Sequence, residues 1–416
     1  MLTRASSVLY AAGLITAAGF GTASFTASSR PTSSPAPSPR VLVAHEWGTF
    51  TTVAGTDGRA IDWLPLGGPT DLPCFVEHYD NRPTVKIVAD AQGPFDYQRA
   101  RTALLGKVRM ETPVLYFYAG QDTLVDVKVR FPHGLMTEWY PHADVMEVIN
   151  GPTTLEQNAT ATLEWKNVRV AARAAGAFPT TAGESHYYAA RATDAAPLVV
   201  GAQQERFLFY RGVADFDVPI SAAALPNGRV RIAPAGAAGV PAVVLFERRG
   251  ASLGFRVIGT VHGDTTVDAP KLDGSLPALR EQLARSLTDA GLYTKEAAAM
   301  LETWRDSWFE DGVRVFYVLP QKKVDAILPL EIHPAPERVT RVFVGRMEVV
   351  TQATEAAVDQ ALAKNDASVL ARYARFLGPI TDRLLAKTPT AAEQAKIRSA
   401  TNAALAAYLR RSTVCE

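Results

Sequence analysis

The hydrophobic and polar positions along this 416-residue chain change period as it proceeds. From Val41 to about residue 150 they mostly alternate. In TLVDVKVRF (123–131), Val125, Val127 and Val129 fall on one side and Leu124, Asp126 and Lys128 on the other, the pattern of a half-buried strand. VLVAHEWGTFTT (41–52) and TPVLYFYAG (112–120) read the same way, and Gly120-Gln121-Asp122 predicts a hairpin between the last strand and TLVDVKVRF. A second strand-rich stretch runs from about 155 to 262 through ATATLEWKNVRVAAR, ERFLFYRGV, GRVRIAP, PAVVLFERRG and GFRVIGTVHG. Gly or Pro closes several of these runs, a spacing that predicts a sandwich or an open barrel.

The period then lengthens. In SLPALREQLARSLTDAG (275–291), Leu279, Leu283 and Leu287 share a helical face, with Ser275 as N-cap and Gly291 as stop. TKEAAAMLETWRDSWFEDG (294–312) predicts a helix capped by Thr294 and ended by Gly312, with Ala297, Met300, Leu301, Trp304 and Trp308 inward. Two strands follow in VRVFYVLP and RVTRVFVGRMEVV, and then an Ala-rich helical stretch from 354 to 411, interrupted at Pro379 and Pro389. The expected fold class is α+β, with β-sandwich-like N-terminal and middle regions and a helical C-terminal region. The expected division is 41–152 and 153–272 as β-rich domains and 273–416 as a helical region with a few strands.

The first 40 residues stand outside this pattern. Arg4, the apolar run Val8 to Phe20 and the small residues after it have the order of a secretory signal, here placed at 1–27. A Ser/Pro linker follows at 28–40. The apolar run is short and Gly-rich for a membrane span, so the expectation is a periplasmic or extracellular protein without a span in its mature part, a signal anchor being the alternative. Residues 1–40 hold three arginines and no acid, which leaves 40 basic against 42 acidic residues beyond them. That balance argues against a nucleic-acid partner. The two cysteines, Cys74 and Cys415, form a disulfide candidate in an oxidising compartment and are too few for a Cys-based zinc site.

Candidate chemistry is scattered. His45 and Glu46 are adjacent, but Thr49 stands where a zinc-protease helix needs its second histidine, and adjacent strand residues face opposite ways. FPHGLMTEWYPHAD (131–144) brings Glu138 and His142 close in sequence, and Glu331 and His333 have same-face strand spacing. A divalent metal such as zinc held by His45, His142 and His333, with Glu46 and Glu138 as catalytic carboxylates, is one reading. Trp47, Trp63, Trp139 and Tyr140 are ligand-binding candidates suited to a sugar ring. Gly250-Ala251-Ser252-Leu253-Gly254 spells a nucleophile elbow but lies between two strand patterns, where a hairpin turn fits better. Asn158-Ala159-Thr160 is a glycosylation string.

The blocks HEWGTFTTVAG, RMETPVLYFYA, ERFLFYRGV and TWRDSWFEDG resemble exported bacterial proteins of unassigned function, over most of residues 41–350. That resemblance implies a bacterial exported protein and carries no catalytic residues. The leading expectation is a binding or scaffold protein whose partner is a small molecule, a glycan or a protein. A metal-assisted extracytoplasmic hydrolase and a glycan-binding module are the alternatives.

Overall fold

Period-two patterning becomes strand almost wherever it was read. The computed structural model describes residues 41–67, 72–79, 86–88, 104–149 and 159–409. In chain order its strands are β1 (Leu42–Ala54), β2 (Glu77–His78), β3 (Lys86–Val88), β4 (Val108–Ala119), β5 (Thr123–Pro132), β6 (Gly134–Tyr140) and β7 (Val145–Ile149). Then come β8 (Thr160–Val170), β9 (Leu198–Val200), β10 (Gln203–Glu205), β11 (Leu208–Ala214), β12 (Ile220–Ala224) and β13 (Val230–Pro234). The last are β14 (Val240–Arg249), β15 (Ser252–Val261), β16 (Thr265–Val267), β17 (Gly312–Val318), β18 (Leu330–His333) and β19 (Arg338–Val349). The helices gather toward the C-terminus: α1 (Leu276–Asp289), α2 (Thr294–Thr303), α3 (Gln321–Ile327), α4 (Gln352–Lys364), α5 (Ala367–Tyr373), α6 (Leu377–Lys387) and α7 (Ala391–Leu409). The fold is α+β and sheet-rich.

A nine-stranded sheet in the order β15-β14-β17-β19-β1-β4-β11-β6-β2 organises the molecule. The stretches 41–152, 153–272 and 273–416 each contribute strands to it, so it forms only when distant parts of the chain meet. β1 lies near its middle, parallel to β19 and antiparallel to β4. A seven-stranded sheet (β10-β9-β8-β5-β18, with β7 joined to β8 and β3 to β7) and a three-stranded sheet (β12-β13-β16) complete the strands. One apolar core joins all three, with Ala44, Phe50, Leu115 and Phe117 from the large sheet, Val127, Val129, Leu163 and Trp165 from the second, and Ile220 and Ile232 from the third.

Several local readings change. The turn at 120–122 does not close a hairpin, because β4 belongs to the large sheet while β5 pairs with β8 and β18. It carries the chain from one sheet to another. The valine alternation of β5 still holds, with Val125, Val127 and Val129 buried and Leu124 exposed. The helix expected over 294–312 is capped by Tyr293 and ends at Thr303. Beyond it the carbonyls of Trp308, Glu310 and Asp311 accept from Arg314, as described below. The GASLG string is a turn between antiparallel β14 and β15, with Gly250 at φ +60° and Ser252 paired to Arg249.

Helix α1 follows its pattern closely. Ser275 accepts a hydrogen bond from the Ala278 amide, and Leu279, Leu283 and Leu287 are buried. Pro379 does not interrupt α6. It sits in the first turn, where the amide it lacks has no intrahelical partner.

Candidate ligand-binding site

Strand β1 sends alternate residues to opposite faces. Leu42, Ala44 and Phe50 enter the core shared by the sheets. Val43, Trp47 and Val53 face the helices, in two separate apolar clusters. The first packs Trp47, Val114, Tyr116, Phe316 and Val344 against Leu279, Leu283, Met300 and Leu301 of α1 and α2. The second packs Val53, Trp63 and Val350 against Val358, Leu370 and Ile380 of α4 to α6 and against Phe376 in the turn between α5 and α6. Two helical lobes thus cover one face of the sheet.

Between the lobes runs a band of buried polar side chains. Strand register sets it out. Thr51 on β1 is the partner of Arg346 on β19 and of Arg109 on β4, while Thr49 is the partner of Glu111. Glu348 is the partner of Arg314 on β17. All seven of these residues are buried. Buried charges persist only when paired and hydrogen-bonded, and most of these are. Arg109 donates to Thr137 at 3.1 Å and to Glu138 at 3.1 and 3.3 Å. Thr51 donates to Glu111 at 2.6 Å, and Arg375 reaches the same carboxylate from the C-terminal lobe.

Arg314 is the clamp of this band. Its Nε donates to Glu348 at 2.9 Å, and its other nitrogens donate to the carbonyls of Trp308, Glu310 and Asp311 at 3.0, 2.5 and 2.7 Å. One guanidinium therefore fixes the whole 308–311 turn. Gly312, at φ +124°, is needed where the turn meets the clamp, since a Cβ there would stand 2.3 Å from Glu348 Oε1 and 2.8 Å from Arg314 Nη2. Beside it, Arg346 donates through Nη2 to Glu310 at 2.5 Å, and its guanidinium lies 4.9 Å from the Phe376 ring. Burial raises the Glu310 carboxyl above its ordinary range, against the pull of Arg346 and Arg314. Burial, with Arg314 alongside, lowers Arg346.

Among the clefts around the C-terminal lobe, two have walls that combine it with other parts of the fold and about the same volume. One, of about 430 Å³, lies between the β14–β15 turn and helices α4 and α5, lined by Arg248, Arg249, Asp311, Lys364 and Arg372 among others. The other, of about 440 Å³, lies between residues 62–67 and helices α6 and α7. Its walls include Trp63, Leu64, Leu105, Leu385 and Leu405, with Arg375, Asp382 and Arg398 at its polar positions. Both volumes fall within the range of small-molecule sites.

The residues singled out in the sequence occupy separate places. His45 is fully buried on the helical face, where its Nδ1 lies 2.9 Å from Glu296 Oε2. Glu296 also accepts from Tyr118 at 2.8 Å and from the Tyr293 amide at 2.7 Å, and the His45 and Tyr293 rings stack at 4.4 Å. Burial and the Glu296 carboxylate push the Tyr118 phenol far above its ordinary value, so it remains a donor. Glu46 faces the other way, buried, paired with Arg341 at 2.6 Å and accepting from Tyr210. Glu138 is enclosed by its partners. Burial alone would raise its pKa, but Arg109, Arg211 and His78 outweigh it and hold the carboxyl at about 2. That charge state suits a structural counter-ion rather than a proton donor.

His142 is on the surface, with Nδ1 2.8 Å from Glu77, which also accepts from the Trp139 indole at 3.0 Å. His333 is exposed on β18 in the seven-stranded sheet, opposite Asp126. Among the described residues no group of three or more His, Cys, Asp or Glu side chains stands where it could hold a metal ion, and His45, His142 and His333 do not come together. Trp47, Trp63, Trp139 and Tyr140 are all buried and form no exposed platform, because each fills a core beside its strand. Of the four, only Trp63 lines either cleft. Cys74 is disulfide-bonded. Cys415, Asn158, the signal at 1–27 and the linker at 28–40 lie outside the described residues. No described helix is long and apolar enough to cross a membrane.

Sequence reasoning missed Glu296, Arg314, Arg346, Glu348 and Arg375. A charged residue breaking an inward-facing strand position, as Arg346 and Glu348 do in RVFVGRMEVV, was the available signal. The sequence matches no protein-family model. No curated protein matches it either.

Proposed function

We propose that this chain is an exported binding protein for a small, largely apolar molecule with a polar end, carried on a sandwich-like sheet scaffold. The observation behind this reading is the cleft of about 440 Å³ between Trp63 and helices α6 and α7. Leu64, Leu105, Leu385, Leu405 and Ala406 supply an apolar wall, while Arg398, Asp382 and Asn402 offer donors and acceptors to one end of a ligand. An apolar pocket with a few convergent polar groups is the usual form of a small-molecule site. Export is part of the proposal and rests on the N-terminal pattern of charge, apolar run and small residues.

The test is fluorescence titration of the full chain with 1-anilinonaphthalene-8-sulfonate, followed by displacement with medium-chain carboxylic acids and alcohols. Saturable binding that Leu405→Asp abolishes supports the reading, provided the variant unfolds at the same denaturant concentration as the parent. Absence of saturable binding in the parent sinks it. Fractionation of producing bacterial cells tests export separately, which requires the chain outside the cytoplasm.

The hydrolase alternative keeps one supporting observation. His45 Nε2 is buried without a hydrogen-bond partner while Glu296 orients the opposite nitrogen, the arrangement of a general base. Hydrolysis of an ester or glycoside panel that disappears in His45→Gln would raise it above the binding reading.

A further inference from the structure

We infer that the polar band between the two helical lobes holds a small tetrahedral oxyanion, phosphate or sulfate, against Arg346 and Thr49. Four donor groups in this part of the sheet lack hydrogen-bond partners although they are buried: Arg346 Nε and Nη1, Thr49 Oγ1 and Trp308 Nε1. Unsatisfied polar atoms in a protein interior are few, and each costs the desolvation of its group. Several donors in one neighbourhood point to an acceptor with several oxygens.

Register places them as neighbours. Thr51 pairs with Arg346, so Thr49 is its diagonal neighbour on the adjacent strand, and both face the helical lobes. Phe316 is Arg346's partner on the other side, and the Trp308 ring lies 5.4 Å from Phe316. Phe376 covers one flat side of the Arg346 guanidinium and leaves its edges to hydrogen-bond.

Arg314 and Arg346 stand together over one buried carboxylate, Glu348, and over Glu310, which burial biases toward its neutral form. Glu111 is engaged by Thr51 and Arg375. A bound oxyanion would supply the missing acceptors. The burial of Arg346 and Thr49 makes a free ion, not a bulky ester, the expected occupant.

The experiment is isothermal titration of the full chain, purified in chloride alone, with inorganic phosphate, sulfate, acetate and glycerol 3-phosphate at matched ionic strength. One saturable site for phosphate or sulfate is expected, weakened about tenfold or more in Thr49→Val and in Arg346→Gln. Arg285→Gln, on the exposed face of α1, should leave it unchanged. If Arg346→Gln fails to fold, Thr49→Val decides alone, since it removes one hydroxyl at constant volume. Glycerol 3-phosphate binding as tightly as phosphate would overturn the enclosed-ion assignment, and so would acetate binding as tightly as either. No saturable site, or a site indifferent to Thr49→Val, would overturn the proposal entirely.

Discussion

Arg341 Nε donates to Glu46 Oε2 at 2.6 Å, an ion pair between β19 and β1 across 295 positions of chain. Both side chains are buried, and Tyr210 adds a third strand to the contact. The carboxylate next to His45 therefore ties the centre of the large sheet together. Glu46→Ala leaves the Arg341 guanidinium without its buried partner and should cost about 3 kcal/mol in urea unfolding. Replacing both, Glu46→Leu with Arg341→Met, should restore a large part of that loss. Equal loss in the single and double variants would show that the charge pairing is not what matters.

Glu138 links stability to acid. Its carboxyl is held at about 2 against an ordinary 4.5, so the folded state binds its proton more weakly than the unfolded state does. Its contribution is complete above pH 4.5 and is lost as pH falls from there toward 2. Over that window it amounts to about 3 kcal/mol. Denaturant unfolding from pH 6 to pH 2.5 should show a fall in parent stability that Glu138→Gln flattens. An unchanged slope in the variant would assign the acid sensitivity elsewhere.

Arg314 holds three carbonyls and a carboxylate at once. A lysine has the charge but not the planar fork. Arg314→Lys should lower stability by roughly 2–4 kcal/mol. It should also loosen residues 304–311 first, so hydrogen exchange there should rise before exchange in β17 and β19. Uniform acceleration across the sheet would contradict the clamp.

Cys74 is disulfide-bonded, and Cys415 is the only other cysteine in the sequence. The native chain should show no reactive thiol, and digestion without reductant should yield a peptide joining 74 to 415. A cross-link over so long a loop contributes up to about 5 kcal/mol in the chain-entropy model. Reduction should therefore lower the melting temperature, and a chain with two titratable thiols would refute the pairing.

Much of the local structure was legible in the alternation of side chains. The outward Leu124, Asp126 and Lys128, the Ser275 cap, and the opposite facing of His45 and Glu46 all follow from period and chemistry within a few residues. What failed to read locally was whatever depended on a partner elsewhere. Gly120-Gln121-Asp122 has a hairpin's composition, yet β5 finds its partners in β8 and β18, because pairing follows the cores on offer rather than the turn alone. The 294–312 helix stops at Thr303, and the turn after it is held through the Trp308, Glu310 and Asp311 carbonyls by Arg314 of β17, a contact that side-chain periodicity does not reveal.

The candidate sites divide the same way. By itself the sequence determined that alternating apolar runs would make sheets, that a helical region would follow, and that His45 and Glu46 would face opposite ways. The tertiary structure decided which charges are buried together. Arg346 and Thr49 are 297 positions apart in number and neighbours only because β1 and β19 align in parallel. Trp63 and Leu405 meet only because the C-terminal helices return to the start of the chain. Local pattern is set by geometry repeating every two or three to four residues, whereas a site is set by which elements pack, and packing is a property of the whole core.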